Sequence, residues 1–214
     1  GNKLVGVDAK GLELRMLAHY MNDKEYTNEI INGDIHTTNQ MAAGLQSRDE
    51  SKTFIYAFIY GAGSKKIGSI IGGSERDGER VKEKFLRATP NLRRLREKVD
   101  GVAKSNRRWL KGLDQRKILI RHPHAALNSL LQGAGACVMK LALTLLDQYV
   151  INKRIKAYPV VNVHDEFQYE VESGRADEFG RLAVQSIRDA GRKLKLRCEL
   201  DGQYKIGDNW AETH

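Results

Sequence analysis

The sequence contains few of the features that mark disulfide-stabilised, membrane-spanning or repetitive proteins. Its 214 residues include only two cysteines, Cys137 and Cys198, and their spacing matches no metal-binding motif. No uninterrupted apolar run reaches the ~18 residues of a membrane span, and no signal peptide, internal repeat or low-complexity linker is visible. We therefore expect an intracellular protein in a reducing compartment, without a membrane partner.

The chain carries more positive than negative charge. Lys and Arg outnumber Asp and Glu by 36 to 27, which gives a formal net charge of +9 and a pI near 9.5. A surplus of this size favours a polyanionic partner, for which nucleic acid is the default expectation.

The most informative segment is a row of four side chains, Arg48, Lys52, Tyr56 and Tyr60, spaced every fourth residue. On an α-helix each such step turns only ~40°, so the four share one face. Two cations followed by two aromatic rings suit a ligand with a polyphosphate end and a flat base. The spacing therefore predicts a nucleoside triphosphate site on a helix.

The same segment carries signals for where the helix begins, ends and packs. Ser47 and Glu50 form a Ser-x-x-Glu capping box, and the glycines after Tyr60 supply a stop. An apolar set lies on the opposite side and is expected to pack in the core: Phe54, Ile55 and Phe58.

Two aspartates are expected to lie at the ends of strands. Asp8 follows the apolar run Leu4–Val7, and Asp165 lies in the tight connection between two predicted strands. If these strands are neighbours, the carboxylates converge, and such a pair does not easily stay doubly ionised without a cation. The pattern suits two divalent ions that catalyse a phosphoryl displacement; the alternative is that each Asp merely caps a turn.

The remaining pattern indicates an α+β protein. Strands are predicted at 4–7, 108–110, 117–120, 158–163, 167–171 and 196–200. A helix is predicted from the first strand to about Met21, residues 22–110 are expected to be mostly helical, and further helices are predicted at 124–149 and 175–194. The glycine-rich stretch from Gly61 to Gly78 is expected to be loop-rich, and Pro90 to mark a helix junction. We expect an antiparallel sheet with helices, which carries a mostly helical insertion.

These segments together resemble the family-A (DNA polymerase I-like) DNA polymerases, especially the replicative enzymes of bacteriophages. Residues 7–15 resemble the family's motif A, Arg48–Gly61 fit motif B at every defined position, and residues 163–166 match motif C. The segment 33–37 resembles the Gly-Asp-x-His sequence that precedes motif B, and residues 209–211 resemble the phage-type carboxyl end. The resemblance extends over essentially the whole chain.

The resemblance implies a domain organisation. Residues 1–21 and 109–214 would form the palm, and residues 22–108 the fingers. The thumb and any proofreading exonuclease would be absent, so we expect the palm–fingers part of a split or truncated polymerase. Full activity would then need a second polypeptide that carries the thumb, with or without the exonuclease. A protein of phage origin would act in the host cytoplasm.

The resemblance also implies roles for individual residues in two-metal nucleotidyl transfer from dNTP to a primer 3′-hydroxyl. Two Mg²⁺ ions, for which Mn²⁺ can substitute, would be held by Asp8, Asp165 and the Ala9 carbonyl, with Glu166 as an additional acidic group. Asp8, Asp165 and Lys52 would be catalytic. The remaining residues fall into two sets: nucleotide-binding Glu13, His36, Arg48, Lys52 and Tyr56, and primer–template-binding Tyr60, Arg116, His124, Asn128, Gln132 and His164.

Two positions depart from the family pattern. Lys10 stands where Ser is common, and Gln115 precedes Arg116 where Gly is usual, which affects the local turn and the direction of Arg116. The run Gly133–Ala136 either permits close approach of DNA or serves tight helix packing.

Two other functions are compatible with parts of the sequence. A two-metal nuclease or resolvase would also place an aspartate such as Asp8 directly after a strand, but it would need further acidic ligands. This hypothesis does not explain the row of cations and tyrosines on the predicted helix. A non-catalytic nucleic-acid-binding subunit would have no need of Asp8, Lys52 and Asp165. The polymerase hypothesis accounts for all of these residues.

Overall fold

The structure, a computed structural model, describes all residues from Gly1 to His214. Its contacts divide the chain into two compact units, one formed by residues 1–16 and 134–214 and the other by residues 17–133. The chain passes between the units inside two helices, α1 (Leu12–Met21) and α8 (Ala126–Lys153). The helical unit therefore includes the second turn of α1 and the first turns of α8.

The first unit is built on a four-stranded antiparallel sheet. Its strands are β1 (Asn2–Ala9), β4 (Ala157–Val163), β5 (Glu166–Glu172) and β6 (Gly202–Gly207), in the order β4-β5-β1-β6. β1 is central and pairs with β5 from Asn2 opposite Glu172 to Asp8 opposite Glu166. The sheet therefore places the end of β1 beside the start of β5, as the sequence analysis expected.

Helices complete this unit. The long α9 (Ala176–Lys193) packs against β1, β5 and β6, and its buried face includes Phe179, Ala183 and Ile187. The short α10 (Trp210–Thr213) packs against β1 and β6. Gly6 in β1 makes this packing possible, since a Cβ there would lie 2.4 Å from the backbone oxygen of Thr213.

The second unit is mostly helical. Besides parts of α1 and α8 it contains α2 (Lys24–Asn32), α3 (Ile35–Ala43), α4 (Arg48–Ile59), α5 (Ser64–Ile70), α6 (Glu75–Ala88) and α7 (Pro90–Lys104). Phe54 and Phe58 of α4 pack edge-on against Phe85 of α6, with ring centroids 5.2 and 5.5 Å apart. This cluster buries the apolar face of α4, as predicted. The junction at Pro90 is also where it was predicted.

A two-stranded hairpin, β2 (Trp109–Lys111) and β3 (Lys117–Leu119), follows α7 and packs against it. Gln115 in its turn has φ +70°, the left-handed conformation that glycine favours. The turn therefore forms with glutamine where the family commonly has glycine. Its closure uses hydrogen bonds from Gly112 N to Arg116 O (2.8 Å) and from Gln115 N to Gly112 O (3.0 Å).

Three expectations need correction. The stretch between Gly61 and Gly78 contains α5 and the first turn of α6, because Gly68 and Gly78 are small enough for the two helices to pack closely. The last strand is not Leu196–Leu200; it is Gly202–Gly207, which pairs with β1. Cys198 and Leu200 alternate as in a strand but are buried in an irregular segment.

The third correction concerns α8. α8 and the 3₁₀ turn before it form one helical segment, Pro123–Lys153. By length and composition alone, this segment is long and apolar enough to cross a membrane. Gln132 and Lys140 interrupt the apolar residues of this helix, so it contains no uninterrupted apolar run as long as a membrane span. Half of the helix's most apolar window is buried inside the protein, as in a core helix, so the finding is weak support for membrane insertion.

Candidate active site

The two predicted metal-binding aspartates lie at adjacent strand ends in the sheet. Asp8 is opposite Glu166 in the β1–β5 ladder, and Asp165 immediately precedes Glu166 in the turn between β4 and β5. The backbone N–H of Ala9 donates to the carbonyl oxygen of Asp165 at 3.0 Å, which extends the ladder by one bond. His164 begins this turn with φ +54° and an exposed side chain. The sheet thus fixes the backbone positions of both aspartates.

The surroundings of these two carboxyl groups disfavour their ionised forms. Burial, followed by the neighbouring charges of Asp165 and Glu166, raises the pKa of Asp8 from 3.8 to about 6, although Gln203 donates to its Oδ2 at 3.3 Å. Burial, followed by the charge of Glu13, also raises the pKa of Asp165. Carboxylates that repel one another in a partly desolvated place are stabilised as anions by a bound cation.

Glu166 belongs to a hydrogen-bond network that the sequence analysis did not predict. Its side chain is 9 % exposed and accepts hydrogen bonds from Gln168 Nε2 and, at 2.6 Å, from the ring Nδ1 of His214. Thr213 Oγ1 in turn donates to Gln168 Oε1 at 2.8 Å. No sequence motif indicates that residues 213 and 214 lie beside motif C, because this contact depends on where α10 packs.

The donor set suits a hard divalent cation. Asp8 and Asp165 offer carboxylate oxygens, and no group of three or more His, Cys, Asp or Glu side chains is arranged as a preformed metal cage. Mg²⁺ is commonly held by one or two carboxylates, with substrate phosphates and water completing its octahedron. The residues therefore fit Mg²⁺ that binds together with a phosphate-bearing substrate.

The predicted row of side chains forms on α4 in the helical unit. Ser47 caps the helix, accepting from Glu50 N at 3.1 Å, but Glu50 Oε2 accepts from Gln46 N rather than completing the capping box. Ser51 Oγ donates to the backbone oxygen of His36 at 2.8 Å, and this bond ties α3 to α4. His36 is thereby placed beside the row.

The cationic end of the row has a partner that was not predicted. Arg48 Nε lies 2.6 Å from Asp34 Oδ2, and Asp34 also caps α3 through the N–H groups of His36 and Thr37. Burial, followed by the charge of Arg48, lowers the pKa of His36. The ring Nδ1 of this neutral His36 is buried without a hydrogen-bond partner. Asp34 thus engages one of the five N–H donors of the exposed Arg48 guanidinium, and the others can meet a phosphate.

The aromatic end of the row consists of Tyr56 and Tyr60, and His36 lies beside Tyr56. The ring centroids of His36 and Tyr56 are 6.4 Å apart, and those of Tyr56 and Tyr60 are 6.5 Å apart. Lys52 is exposed one turn before Tyr56. Gly61 ends the segment with φ +81°, and a Cβ there would lie 2.1 Å from the backbone oxygen of His124. Glycine is therefore required after Tyr60 for both conformation and space.

The residues assigned to primer–template binding are found in several places. Arg116 follows the hairpin turn, is exposed and forms an ion pair with Asp114; His124 is exposed and stacks on His122 with centroids 5.6 Å apart. On α8, Asn128 has a buried Oδ1 without a hydrogen-bond partner, and Gln132 is exposed one turn later.

The two glycines of the run 133–136 serve packing. A Cβ on Gly133 would meet Ile118 at 3.0 Å, and one on Gly135 would meet Leu12 at 3.2 Å. Both glycines face apolar side chains, which favours the packing interpretation that the sequence left open.

Comparison with known proteins identifies the class to which this fold and these residues belong. The model of "DNA polymerase family A" matches residues 1–212, so the chain is a member of DNA polymerase family A. The match favours the polymerase hypothesis over the nuclease and resolvase alternative.

Within the family, phage proteins are among the similar relatives. The chain is 43 % identical to the DNA-directed DNA polymerases of Enterobacteria phage T3 and Escherichia phage T7, in each case over 98 % of this chain and 33 % of the relative. It is 36 % identical to that of Escherichia phage Phieco32, over 98 % of this chain and 40 % of the relative. The chain thus spans about a third of the length of the T3 and T7 relatives.

A solved structure has the same fold. It is the POL domain of Pol1 from M. smegmatis, in complex with DNA primer-template and dNTP, with a TM-score of 0.86 and 20 % sequence identity. The match covers 99 % of this chain and 40 % of that one. The α+β polymerase fold expected from the sequence is confirmed.

Proposed function

We propose that this chain is the palm and fingers part of a template-directed DNA polymerase. In the proposed reaction the primer 3′-oxygen forms a bond to the α-phosphorus of a dNTP, and the bond from that phosphorus to pyrophosphate breaks. The observation that carries the proposal is the pair Asp8 and Asp165, held at adjacent strand ends with raised pKa values. Membership of DNA polymerase family A supports it.

Asp8 and Asp165 would hold two Mg²⁺ ions, for which Mn²⁺ can substitute, with help from the backbone carbonyl of Ala9. When bound, these ions would supply Lewis acidity to the attacking and leaving oxygens. Glu166, already engaged by Gln168 and His214, would contribute negative charge rather than a free ligand. The raised pKa values support this assignment, because a bound cation offsets both the burial and the charge repulsion that raise them.

The row on α4 would bind the triphosphate and the base. Arg48 and His36 would hold the outer phosphates, and Lys52 would meet the charge that develops as pyrophosphate leaves. Tyr56 would contact the incoming base and sugar, and Tyr60 the template base. The exposed cations Arg48 and Lys52 on one face of α4 support an anionic ligand at this end of the row.

Selectivity for deoxynucleotides and contact with DNA would involve residues outside the row. Glu13, whose charge acts on both aspartates, would exclude a ribose 2′-hydroxyl. Asn128 and Gln132 would contact the minor groove, where acceptor positions are common to all base pairs and allow checking that is independent of sequence.

The proposal is tested by single-nucleotide incorporation on a primer–template with Mg²⁺. We expect the Asp165→Asn variant to lose incorporation by several orders of magnitude while DNA binding changes little, because the carboxylate is assigned to metal. The Asp147→Asn variant, which alters an exposed carboxylate on α8, is the control and should retain activity. Near-normal incorporation by Asp165→Asn would refute the two-metal assignment.

We further propose that sustained synthesis needs a thumb, supplied either on the same polypeptide or on a second one. The T3 and T7 relatives are about three times the length of the chain, which is consistent with such additional parts. The proposal is tested by comparing the length of extension products with and without a thumb-bearing polypeptide from such a relative. Equal product lengths would contradict it.

A further inference from the structure

The turn that follows Asp8 is tied to a segment distant in sequence. Lys10 lies between β1 and α1, and its backbone N–H donates to the carbonyl oxygen of Asp201 at 3.0 Å. Its side chain contacts the same residue, with Nζ 2.9 Å from Asp201 Oδ2. Asp201 therefore holds Lys10 twice, once through the backbone and once through the side chain.

The carbonyl oxygen of Lys10 is held as well. It accepts a hydrogen bond from Arg15 Nε at 2.8 Å, and Arg15 Nη1 donates to the backbone oxygen of Glu199. Arg15 is only 8 % exposed, so these bonds lie in a mostly desolvated place, where a hydrogen bond is electrostatically stronger than in water. All three polar groups of Lys10 are thus tied, directly or through Arg15, to residues 199–201.

Asp201 can hold Lys10 because it is itself held. Arg188 on α9 donates to Asp201 Oδ1 from Nε at 3.1 Å and from Nη2 at 2.8 Å, while Lys10 contacts the other carboxylate oxygen. Just before Asp201, the side chains of Cys198 and Leu200 are buried. We call Lys10, Asp201 and Arg188 the anchor cluster. It joins the turn after β1 to α9 and to the residues that precede β6.

The hydrogen bond of the Lys10 N–H sets the direction of the carbonyl group before it. This N–H and the Ala9 carbonyl belong to one planar trans peptide, so they point in opposite directions. The N–H points to Asp201, on the β6 side of β1, and the carbonyl therefore points to the β5 side. The N–H of Ala9 agrees with this direction, because it donates to the Asp165 carbonyl oxygen and both backbone groups of a strand residue face the same neighbour.

The anchor cluster depends on a residue that is particular to this chain. Lys10 stands where the family commonly has Ser, whose side chain is much shorter. The side chains of Lys10 and Arg188 are 47 % and 45 % exposed, and exposed ion pairs add little to the free energy of folding. The effect of the cluster is therefore expected in the position of the turn rather than in the stability of the protein.

We propose that Asp201 and Lys10 are positioning residues for the proposed metal site. By fixing the peptide after Ala9, they keep its carbonyl oxygen directed to the side of β1 on which Asp165 lies. Without the ion pair the turn has more conformational freedom, and the site loses a correctly placed oxygen. This inference rests on the proposed function, in which the Ala9 carbonyl helps to hold a divalent ion.

The test measures metal binding rather than activity. Mn²⁺ is titrated into the protein with a dideoxy-terminated primer–template and the matching dNTP, so that no bond can form, and free Mn²⁺ is measured by its EPR signal. The variants are Asp201→Asn and Lys10→Met. The matched control is Asp208→Asn, which removes an ion pair with Lys3 at the opposite end of β1 and β6. The Asp8→Asn variant gives the Mn²⁺ that nucleotide and DNA bind by themselves.

We expect Asp201→Asn to weaken Mn²⁺ binding by about tenfold, the lower end of what loss of an outer partner costs a metal site, because only one ligand is affected. The sign for Lys10→Met is decisive. If charge alone mattered, removing a cation near the site would tighten Mn²⁺ binding, whereas loss of the positioning contact weakens it, by roughly threefold or more. Tighter or unchanged binding by Lys10→Met would overturn the proposal. Lys10→Arg keeps the cation and, like the Asp208→Asn control, should bind Mn²⁺ within about twofold of the unsubstituted protein.

The Asp8→Asn variant separates this inference from the proposed function. If Asp8→Asn loses Mn²⁺ but Asp201→Asn and Lys10→Met do not, the metal assignment stands and the positioning role is wrong. If Asp8→Asn binds Mn²⁺ as the unsubstituted protein does, both are wrong. Thermal unfolding in EDTA verifies that the variants are folded, and Tm should change by no more than about 2 °C. A larger fall in Tm would assign the anchor cluster to folding and overturn the proposal.

Discussion

Replacing Asp8 with Asn should stabilise the folded protein in the absence of divalent metal. The carboxylate of Asp8 is partly buried beside Asp165 and Glu166, and these surroundings raise its pKa from 3.8 to about 6. Above that pH the folded protein must hold a charge that the unfolded chain carries at lower cost. Asn keeps the size of the side chain and an oxygen that accepts the hydrogen bond from Gln203, but it removes the charge.

The size of this stabilisation follows from the change in the pKa of Asp8 on folding. A change of one in pKa corresponds to 1.36 kcal/mol, so a rise from 3.8 to about 6 corresponds to about 3 kcal/mol. Asp8 is not fully buried, and solvent screening reduces this figure to about 1.5 kcal/mol. For a protein of this size, that free energy raises Tm by about 3–6 °C.

The raised pKa of Asp8 also determines how the difference in Tm between the two proteins changes with pH. A carboxyl group whose pKa is raised on folding destabilises the protein increasingly as pH rises from 3.8, and the effect is complete above about pH 6. The Tm of Asp8→Asn should therefore exceed that of the unsubstituted protein most at pH 7–8, and the difference should shrink toward pH 4. Differential scanning fluorimetry in EDTA measures this difference directly.

Two further measurements isolate the cause. The Asp147→Asn variant removes an exposed carboxylate and should leave Tm almost unchanged at every pH. Added Mn²⁺ should stabilise the unsubstituted protein more than Asp8→Asn, because a ligand that binds only the folded state raises its stability. An unchanged or lower Tm for Asp8→Asn at pH 8 would refute the electrostatic account of the acidic pair.

Three other predictions concern the helical unit. In single-turnover experiments, Lys52→Ala should mainly slow the chemical step and Arg48→Ala should mainly weaken dNTP binding, because only Lys52 is assigned to charge that grows in the transition state; the reverse pattern would refute these assignments. Tyr56→Phe should increase rejection of dideoxynucleotides, since it removes the hydroxyl proposed to lie near the 3′ side of the sugar; incorporation ratios for ddNTP against dNTP measure this, and an unchanged ratio would place the sugar elsewhere. Gly61→Ala should lower stability by roughly 2 kcal/mol or more in urea denaturation, because its Cβ would collide with a backbone oxygen and its φ is +81°. Gly63→Ala, where a Cβ meets nothing within 4 Å, is the matched control, and equal losses in both would contradict this reasoning.

The parts of the fold that could be predicted have strong local signals. The helix from Arg48 to Ile59 has an N-cap at Ser47 and a positive-φ glycine after its last turn, and its apolar residues recur at helical spacing. In β5, the second strand of the β4–β5 hairpin, the apolar Phe167, Tyr169 and Val171 alternate with polar side chains. In both cases the residues that decide the structure lie within one element.

The parts that could not be predicted depend on partners distant in sequence. β6 has only Tyr204 and Ile206 as large apolar residues and forms because its backbone pairs with β1, whereas the better alternation at Leu196–Leu200 has no strand to pair with. The same holds in the candidate site. The Asp34–Arg48 ion pair and the contact between His214 and Glu166 exist because of tertiary packing, and neither residue type nor spacing indicates them.

The position of β1 in its sheet has a consequence for how the protein is made. β1 is an interior strand of its sheet, yet both of its neighbours, β5 and β6, follow residues 17–133 in the sequence. The continuous segment 17–133 makes most of its contacts locally and can collapse while the ribosome is still adding residues. β1 cannot pair with β5 or β6 until those strands have been synthesised, and closing so long a loop is slow. Asp8 and Asp165 therefore meet only after residues 17–133 have been made, so the row on α4 can form before the two carboxylates that we propose as metal ligands come together.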